Sequence, residues 1–414
     1  MAGLKRNIFS LYVLQGSNYL IPLMVFPYLV RVLGPAEYGR IGLATTVVQY
    51  LCLFVDFGFN LTASRAIARG HKTKSEISQI FWETMYAKFI LLVLSVLFIF
   101  VFSNSILMLK DISGLLNILC LQLIGSLLLP VWFFQGIEKM SSVTVSYVMA
   151  KGLSIPLVFV FVKKDTDVNA AALIQGGTAF LAGCIAILFV FKTKLVVYKK
   201  IETKQITNAL RISLPIFIGG VAMSLYTLGT PFILGAVSSI EQVGVYVASD
   251  KLRQALMGVF LILGSALYPR VNTLYSESRT KGFCFVKKII LYQGGMALIA
   301  SILFFILSSV ISDLMLGSQY KDSILILKLM SPMIFLIVMS VILCNYVLLP
   351  LGHNKIYAKI PIFTGCLHLI YAIQLGRLYG AIGASIAILI TELITFIILV
   401  LINYKKGYLK EIWR

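Results

Sequence analysis

Long apolar runs separated by short polar stretches set the pattern of the chain from end to end. Runs at 8–32, 41–63, 82–103, 112–135, 141–162, 169–191, 211–237, 242–268, 285–310, 323–349, 356–376 and 380–402 each exceed the about 20 residues that one membrane helix needs. They predict an all-α polytopic membrane protein of about twelve transmembrane helices. The polar connections are short, which leaves no place for a large catalytic domain outside the membrane. Composition sharpens this picture. Of 414 residues, 59% are hydrophobic and 13% charged, and mean hydropathy is +0.94, whereas a soluble domain is about one quarter charged. A soluble enzyme with one core and a disordered basic nucleic-acid binder are both excluded.

Charge then gives orientation. The net charge is +20, from 36 Lys and Arg against 16 Asp and Glu. With a cytoplasmic N-terminus, 24 cations fall on the inside, among them Lys5, Arg6, the central run Lys192 to Arg211, and Lys405 to Arg414; seven fall outside, including Arg40, Lys110 and Lys163. The positive-inside rule makes both termini cytoplasmic and requires an even number of spans. Most of the positive charge is thus a topology signal, with attraction to anionic membrane lipids, and calls for no nucleic acid.

Matching offsets between the two halves predict an internal repeat. Pro27 and Glu37 are echoed 204 positions later by Pro231 and Glu241, and the run from Gln135 to Met140 is echoed near an offset of 216 by Leu351 to Ile356. The expected domains are an N-terminal six-helix bundle over 1–191, a basic cytoplasmic linker over 192–210 and a C-terminal six-helix bundle over 211–414. Gly16, Pro22 and Pro27 in the first span, and Pro215, Gly219, Gly220, Gly229 and Pro231 in the seventh, predict that both helices bend.

Ionisable groups deep in spans carry the most chemical information, because each costs about 2.5–3.5 kcal/mol or more at the bilayer centre. The cations are Lys88, Lys151, Lys251, Arg253 and Lys328, with Arg31 near the outer end of the first span; the acids are Asp56, Glu83, Asp250 and Glu392. Asp250 and Arg253 are three apart and share a helix face, while Lys251 points about 100° away, the cleaner anion ligand. Lys88 and Glu83, near the cytoplasmic edge, could snorkel. Tyr12, Gln15 and Tyr19 form a stripe on the first helix with Asn18 beside them, suited to sugar hydroxyls or to interhelical hydrogen bonds. The six cysteines are scattered without a CxxC pair, and His71, His353 and His368 are far apart. Neither a disulfide framework nor a metal site is expected, and no catalytic residue.

The stretch Pro27-Tyr-Leu-Val-Arg-Val-Leu-Gly-Pro-Ala-Glu-Tyr-Gly39, followed by Val55-Asp-Phe-Gly-Phe-Asn60, resembles the opening of the polysaccharide biosynthesis flippases, in particular O-antigen flippases of the Wzx type. Val243-Gly-Val-Tyr246 to Lys251, and Tyr379-Gly-Ala-Ile-Gly-Ala384 leading to Glu392, resemble the family's eighth-helix and last-helix signatures. The resemblance covers essentially the whole chain. It implies a MATE-like fold of the multidrug/oligosaccharidyl-lipid/polysaccharide exporter superfamily, with two six-helix bundles around a central cation-lined cavity. It also implies an undecaprenyl-pyrophosphate-linked glycan as substrate, moved from the inner to the outer leaflet of the bacterial inner membrane by alternating access. A polysaccharide polymerase and a chain-length regulator are implied partners. The substrate-binding candidates are Lys151, Lys251, Arg253, Arg31, Lys88, Lys328, Tyr12, Gln15, Asn18 and Tyr19. No cofactor is expected; Asp56, Asp250 or Glu392 could couple transport to H⁺ or Na⁺.

Two rivals stand beside this reading. A multidrug exporter of the same superfamily would present an acid-dominated cavity, against the balance of deep charges here. A membrane-embedded glycosyl polymerase or ligase would need a sizeable outer loop, and none is present in the pattern.

Overall fold

The computed structural model describes residues 2–69 and 73–414, without the side chains of residues 2–12, Gln15, Asn18, Tyr19 and Asn354. The polar stripe of Tyr12, Gln15, Asn18 and Tyr19 therefore lies, as side chains, outside the described residues, as does His71. Every regular element among the described residues is helical. The chain forms two compact units, Met1–Val221 and Ala222–Arg414.

The first unit contains α1 (Ala2–Asp56), α2 (Phe59–Ala68), α3 (Lys74–Phe102), α4 (Leu107–Lys110), α5 (Ser113–Leu128), α6 (Val131–Gly136), α7 (Ser141–Gly152), α8 (Ser154–Phe161), α9 (Val168–Lys192) and most of α10 (Thr203–Thr227). The second contains the end of α10, α11 (Gly229–Val237), α12 (Ile240–Glu277), α13 (Arg279–Ile289), α14 (Gly295–Ile306), α15 (Ser308–Ile311), α16 (Ser323–Leu343), α17 (Asn354–Lys405) and α18 (Tyr408–Trp413). Of the expected linker, residues 195–202 have no regular structure, and residues 203–210 already form the first turns of α10.

Ten helical stretches among the described residues are long and apolar enough to cross a membrane. Two of them, Leu20–Ala68 and Lys355–Lys405, run 49 and 51 residues, over twice the length of one crossing. Each turns at a glycine, Gly34 (φ 67°) and Gly380 (φ 56°), so each is long enough for two crossings, which gives about twelve among the described residues. At Gly380 the requirement for glycine is twofold. Its φ is positive, and an added Cβ would stand 2.6 Å from Oε1 of Gln242, the oxygen that accepts the Ala381 N–H at 2.8 Å.

The turns also carry the repeat. Gly34 in the first unit corresponds to Ser238 in the second, where the chain is extended between α11 and α12, and the separation is again 204 positions. The extended residues around Lys164 correspond, 216 positions on, to the turn at Gly380. The two spans differ in where helical backbone is broken. The seventh span divides at Leu228, between α10 and α11, because Pro231 lacks the N–H that the carbonyl of Thr227 would accept. The first span keeps helical backbone through Pro22 and Pro27, and leaves it only at Gly34.

Packing follows the rules of helices in lipid, where small residues let backbones approach. In the first unit α5 lies against α9 with Gly125 facing Ala179 and Gly183 facing Gly125; a Cβ on either glycine would fall 2.6 or 2.7 Å from opposing backbone. A buried aromatic cluster of Phe57, Phe59, Phe81, Trp132, Phe133 and Phe134 fills the end where α2, α3 and α6 meet. Phe89, Leu94, Leu97 and Phe100 on α3 are exposed, the surface expected of a helix turned to acyl chains.

Candidate functional site: the buried ionisable groups

In the first unit one intramembrane cation is paired with a carboxylate and another is held by neutral groups. Lys88 on α3 is 1% exposed, and its Nζ donates to Oδ1 of Asp56 and to the Ser126 carbonyl, each at 2.8 Å. A sealed ammonium needs such partners, since an unpaired ion in a low-dielectric interior is very costly. Lys88 does not snorkel to the membrane edge, and it is not an open ligand. Lys151 on α7 reaches the Gln175 carbonyl and Thr178 Oγ1 on α9, both at 3.4 Å. Beside it, Gln175 Nε2 donates to Thr45 Oγ1 and to Gln122 Oε1, at 3.0 and 3.2 Å. Arg31 is exposed, three residues before the turn at Gly34.

In the second unit three of the expected residues come together. Asp250 and Arg253 are both more than nine-tenths buried. The guanidinium Nε donates to Asp250 Oδ1 at 2.8 Å, Nη2 lies 2.6 Å from the same oxygen, and Gln254 Nε2 donates to Oδ2 at 2.6 Å. Arg253 is thus held in an ion pair on its own helix. Glu392 on α17 is 7% exposed and lies within Coulomb range of both Arg253 and Asp250. Lys251 is half-buried. As its helical phase requires, it stands off the Asp250–Arg253 face, and no hydrogen-bond or ion-pair partner holds its Nζ among the described residues. It is the twelfth residue of α12, about 17 Å along the helix axis. Lys328 sits elsewhere, over the ring of Phe305 at 5.8 Å. That ring is itself exposed, so this cation lies at the periphery of α16.

Several participants are uncharged and were not among the sequence candidates. His368, fully buried, holds Thr230 Oγ1 with Nε2 at 3.1 Å and Thr391 Oγ1 with Nδ1 at 2.7 Å, and Tyr371 hydroxyl meets the same Thr391. The Tyr226 ring lies tilted against that of His368, with centroids 6.3 Å apart. The signal that could have found them is the position of Thr391, one residue before the acid, together with a histidine in mid-span.

The second unit thus places an ion pair, a further buried carboxylate and a half-buried lysine on α12 and α17.

Comparison with known proteins fits this architecture. Residues 4–274 match the family described as polysaccharide biosynthesis protein. Two relatives, from Escherichia coli (strain K12) and Shigella dysenteriae, each named "Putative O-antigen transporter", are 33% and 32% identical. The alignments cover 98% and 94% of this chain and 98% of each relative. Among solved structures, an inward-facing multidrug resistance MATE family transporter of the MOP superfamily superposes with a TM-score of 0.79 at 16% identity, covering 94% of both chains. The lipid II flippase MurJ superposes with a TM-score of 0.72 at 14% identity, covering 100% of this chain and 90% of its own. These two likenesses establish the fold. The family match and the whole-length identities establish descent: the chain is a multi-pass membrane protein with a MATE-like fold and belongs to the polysaccharide biosynthesis protein family.

Proposed function

We propose that the chain is a flippase that carries an oligosaccharide on undecaprenyl pyrophosphate from the inner to the outer leaflet of the bacterial cytoplasmic membrane by alternating access. The observation that carries the chemistry is Lys251, an ammonium group about three helical turns into α12, within Coulomb range of Asp250 but with no hydrogen-bond or ion-pair partner on its Nζ among the described residues. Leaving such a group unpaired is unfavourable unless an anion visits it. A diphosphate is such an anion, and it cannot cross hydrocarbon unaided because its charges would lose water. The sugar hydroxyls share that cost, while the polyprenyl tail remains in lipid. The names of the two whole-length relatives support the same substrate class. Both termini face the cytoplasm in this reading, as the distribution of Lys and Arg requires.

The geometry disfavours an exporter of organic cations. Asp56 and Asp250, two of the acids that would receive such a cargo, already hold Lys88 and Arg253. Reconstitution decides between the two. Proteoliposomes of the full chain should move a fluorescent polyprenyl-diphosphate oligosaccharide between leaflets and leave ethidium untransported. Transport of ethidium with no movement of the glycan would overturn the reading.

A further inference from the structure

A groove of about 410 Å³ lies along the end of α9, lined by Ile185, Leu188, Phe189, Phe191 and Lys192. A cavity of that size is large enough for a small ligand. Ile185, Leu188, Phe189 and Lys192 recur at i, i+3, i+4 and i+7 and so share one helix face. The lining is apolar except at one end. There Lys192, the last residue of α9, lays its Nζ 5.6 Å from the centre of the Phe189 ring, a cation–π contact. No hydrogen-bond or ion-pair partner holds that Nζ among the described residues. Depth identifies what meets the groove. α9 belongs to a stretch long and apolar enough to cross a membrane, Asp165–Lys192, and Leu188 and Phe191 are exposed on it. The apolar lining therefore stands at the depth of acyl chains, and the lysine at the level of the headgroups.

A second lysine is fixed beside the first. Lys194 is exposed and takes φ 54°, the left-handed conformation that ends a helix and usually falls to glycine or asparagine. Its N–H donates to the Phe191 carbonyl at 3.1 Å. Beyond it the chain is strapped to α3. Ser78 Oγ accepts the Val197 N–H at 2.9 Å, and Trp82 Nε1 donates to the Val197 carbonyl at 3.1 Å. Lys199, in contrast, is already engaged by Gln79 and Ser75. The backbone that carries Lys192 and Lys194 is thus held on both sides, which lowers the cost of ordering the two cations around one ligand. No carboxylate pairs with either lysine among the described residues. Diffuse attraction of basic segments to an anionic membrane needs no such geometry, whereas an apolar groove ending in two ordered ammonium groups marks a defined place.

We propose that this groove is a binding site for one anionic glycerophospholipid. An acyl chain lies along Ile185, Leu188 and Phe191, and the phosphate accepts N–H bonds from Lys192 and Lys194. Net charge selects the lipid. Phosphatidylcholine carries its own ammonium beside the phosphate and so leaves the two lysines uncompensated, whereas phosphatidylglycerol offers the phosphate charge alone. The inference needs only the membrane-spanning fold, so it stands apart from the flippase reading. It gives the lysines at the end of α9 a ligand of their own, beyond their part in setting orientation.

Native mass spectrometry of the full chain in detergent tests this, with phosphatidylglycerol and phosphatidylcholine of identical acyl chains as probes. Phosphatidylglycerol should bind at the lower concentration. Lys192→Gln and Lys194→Gln should each weaken it by about fivefold, the effect of one interfacial cation, and leave phosphatidylcholine unchanged. Lys355→Gln, which removes an exposed lysine of the second unit, should change neither lipid; an equal loss there would reduce the effect to diffuse charge and overturn the site. Leu188→Asn makes the groove polar and should weaken both lipids; undiminished binding would remove the acyl chain from the groove. Excess glycerol phosphate, which offers the phosphate without a chain, should leave phosphatidylglycerol bound; displacement would assign the two lysines to a water-soluble phosphate instead. All four substitutions are at exposed positions, so the result does not hang on one variant's folding. Equal binding of the two lipids by the wild type, or of phosphatidylglycerol by the wild type and both lysine variants, overturns the inference.

Discussion

Lys88 and Asp56 meet at 2.8 Å across α3 and α1, and the pair is lopsided: the lysine side chain is 1% exposed and the aspartate 34%. The ammonium depends on the carboxylate far more than the reverse. Asp56→Asn strands a buried charge, and removing one partner of such a pair costs about 3–5 kcal/mol. The apparent unfolding temperature in detergent should fall sharply for Asp56→Asn and recover largely in Asp56→Asn with Lys88→Met, which removes both charges. Equal losses in the single and double variants would show that the pair does not govern stability.

Gly380 predicts a second, backbone-driven effect. With φ 56° and ψ −133° it occupies a region nearly closed to other residues, where a side chain costs about 1–3 kcal/mol. Gly380→Ala should lower the same unfolding temperature. Adding Gln242→Ala, which removes the facing amide, should restore only part of the loss, because the dihedral strain remains. Full restoration would assign the effect to crowding alone.

The C-terminal helix gives a pH-dependent prediction outside the spans. His353 Nε2 and the Tyr408 hydroxyl are 2.7 Å apart with their rings stacked, and α18 is further tied to α13 by the two-pronged contact of Arg279 with Glu411. Partial burial, and then the charge of Lys406, hold His353 below its ordinary value of 6.5. The unfolded segment therefore binds the proton first. The docking of α18 is unaffected by His353 above pH about 6.5 and weakens as pH falls below it, until the folded-state histidine also protonates. Limited proteolysis after residue 405 should accelerate on acidification in this window, and His353→Gln should flatten the dependence. The same acceleration in His353→Gln would place the sensor elsewhere.

Much of the fold was legible because its signals are local. Apolar runs set the spans, and Gly34-Pro35 and Tyr379-Gly380 mark turns that join two crossings into one long helical stretch. The Asp250–Arg253 ion pair followed from their i, i+3 spacing alone. What sequence could not give was partnership across helices. Lys88 and Asp56 are 32 residues apart, and Gln175 and Thr45 are 130 apart; only packing brings them together. Helical backbone breaks in the seventh span, where Pro231 closely follows Gly229, and continues in the first through Pro22 and Pro27, which have no adjoining glycine.

Lys251 bears the central claim, and its charge can be varied while its place on α12 is kept. The most direct measurement is the rate at which a fluorescent polyprenyl-diphosphate oligosaccharide crosses liposomes holding equal amounts of wild type, Lys251→Arg, Lys251→Ala and Lys251→Glu, each checked for insertion. The rate should be best preserved in Lys251→Arg, fall by at least about tenfold in Lys251→Ala, corresponding to about 1.4 kcal/mol, the scale of one charge-assisted hydrogen bond, and fall further in Lys251→Glu. Equal rates in Lys251→Ala and wild type, or in Lys251→Ala and Lys251→Glu, would contradict an electrostatic role for this lysine in moving the glycan.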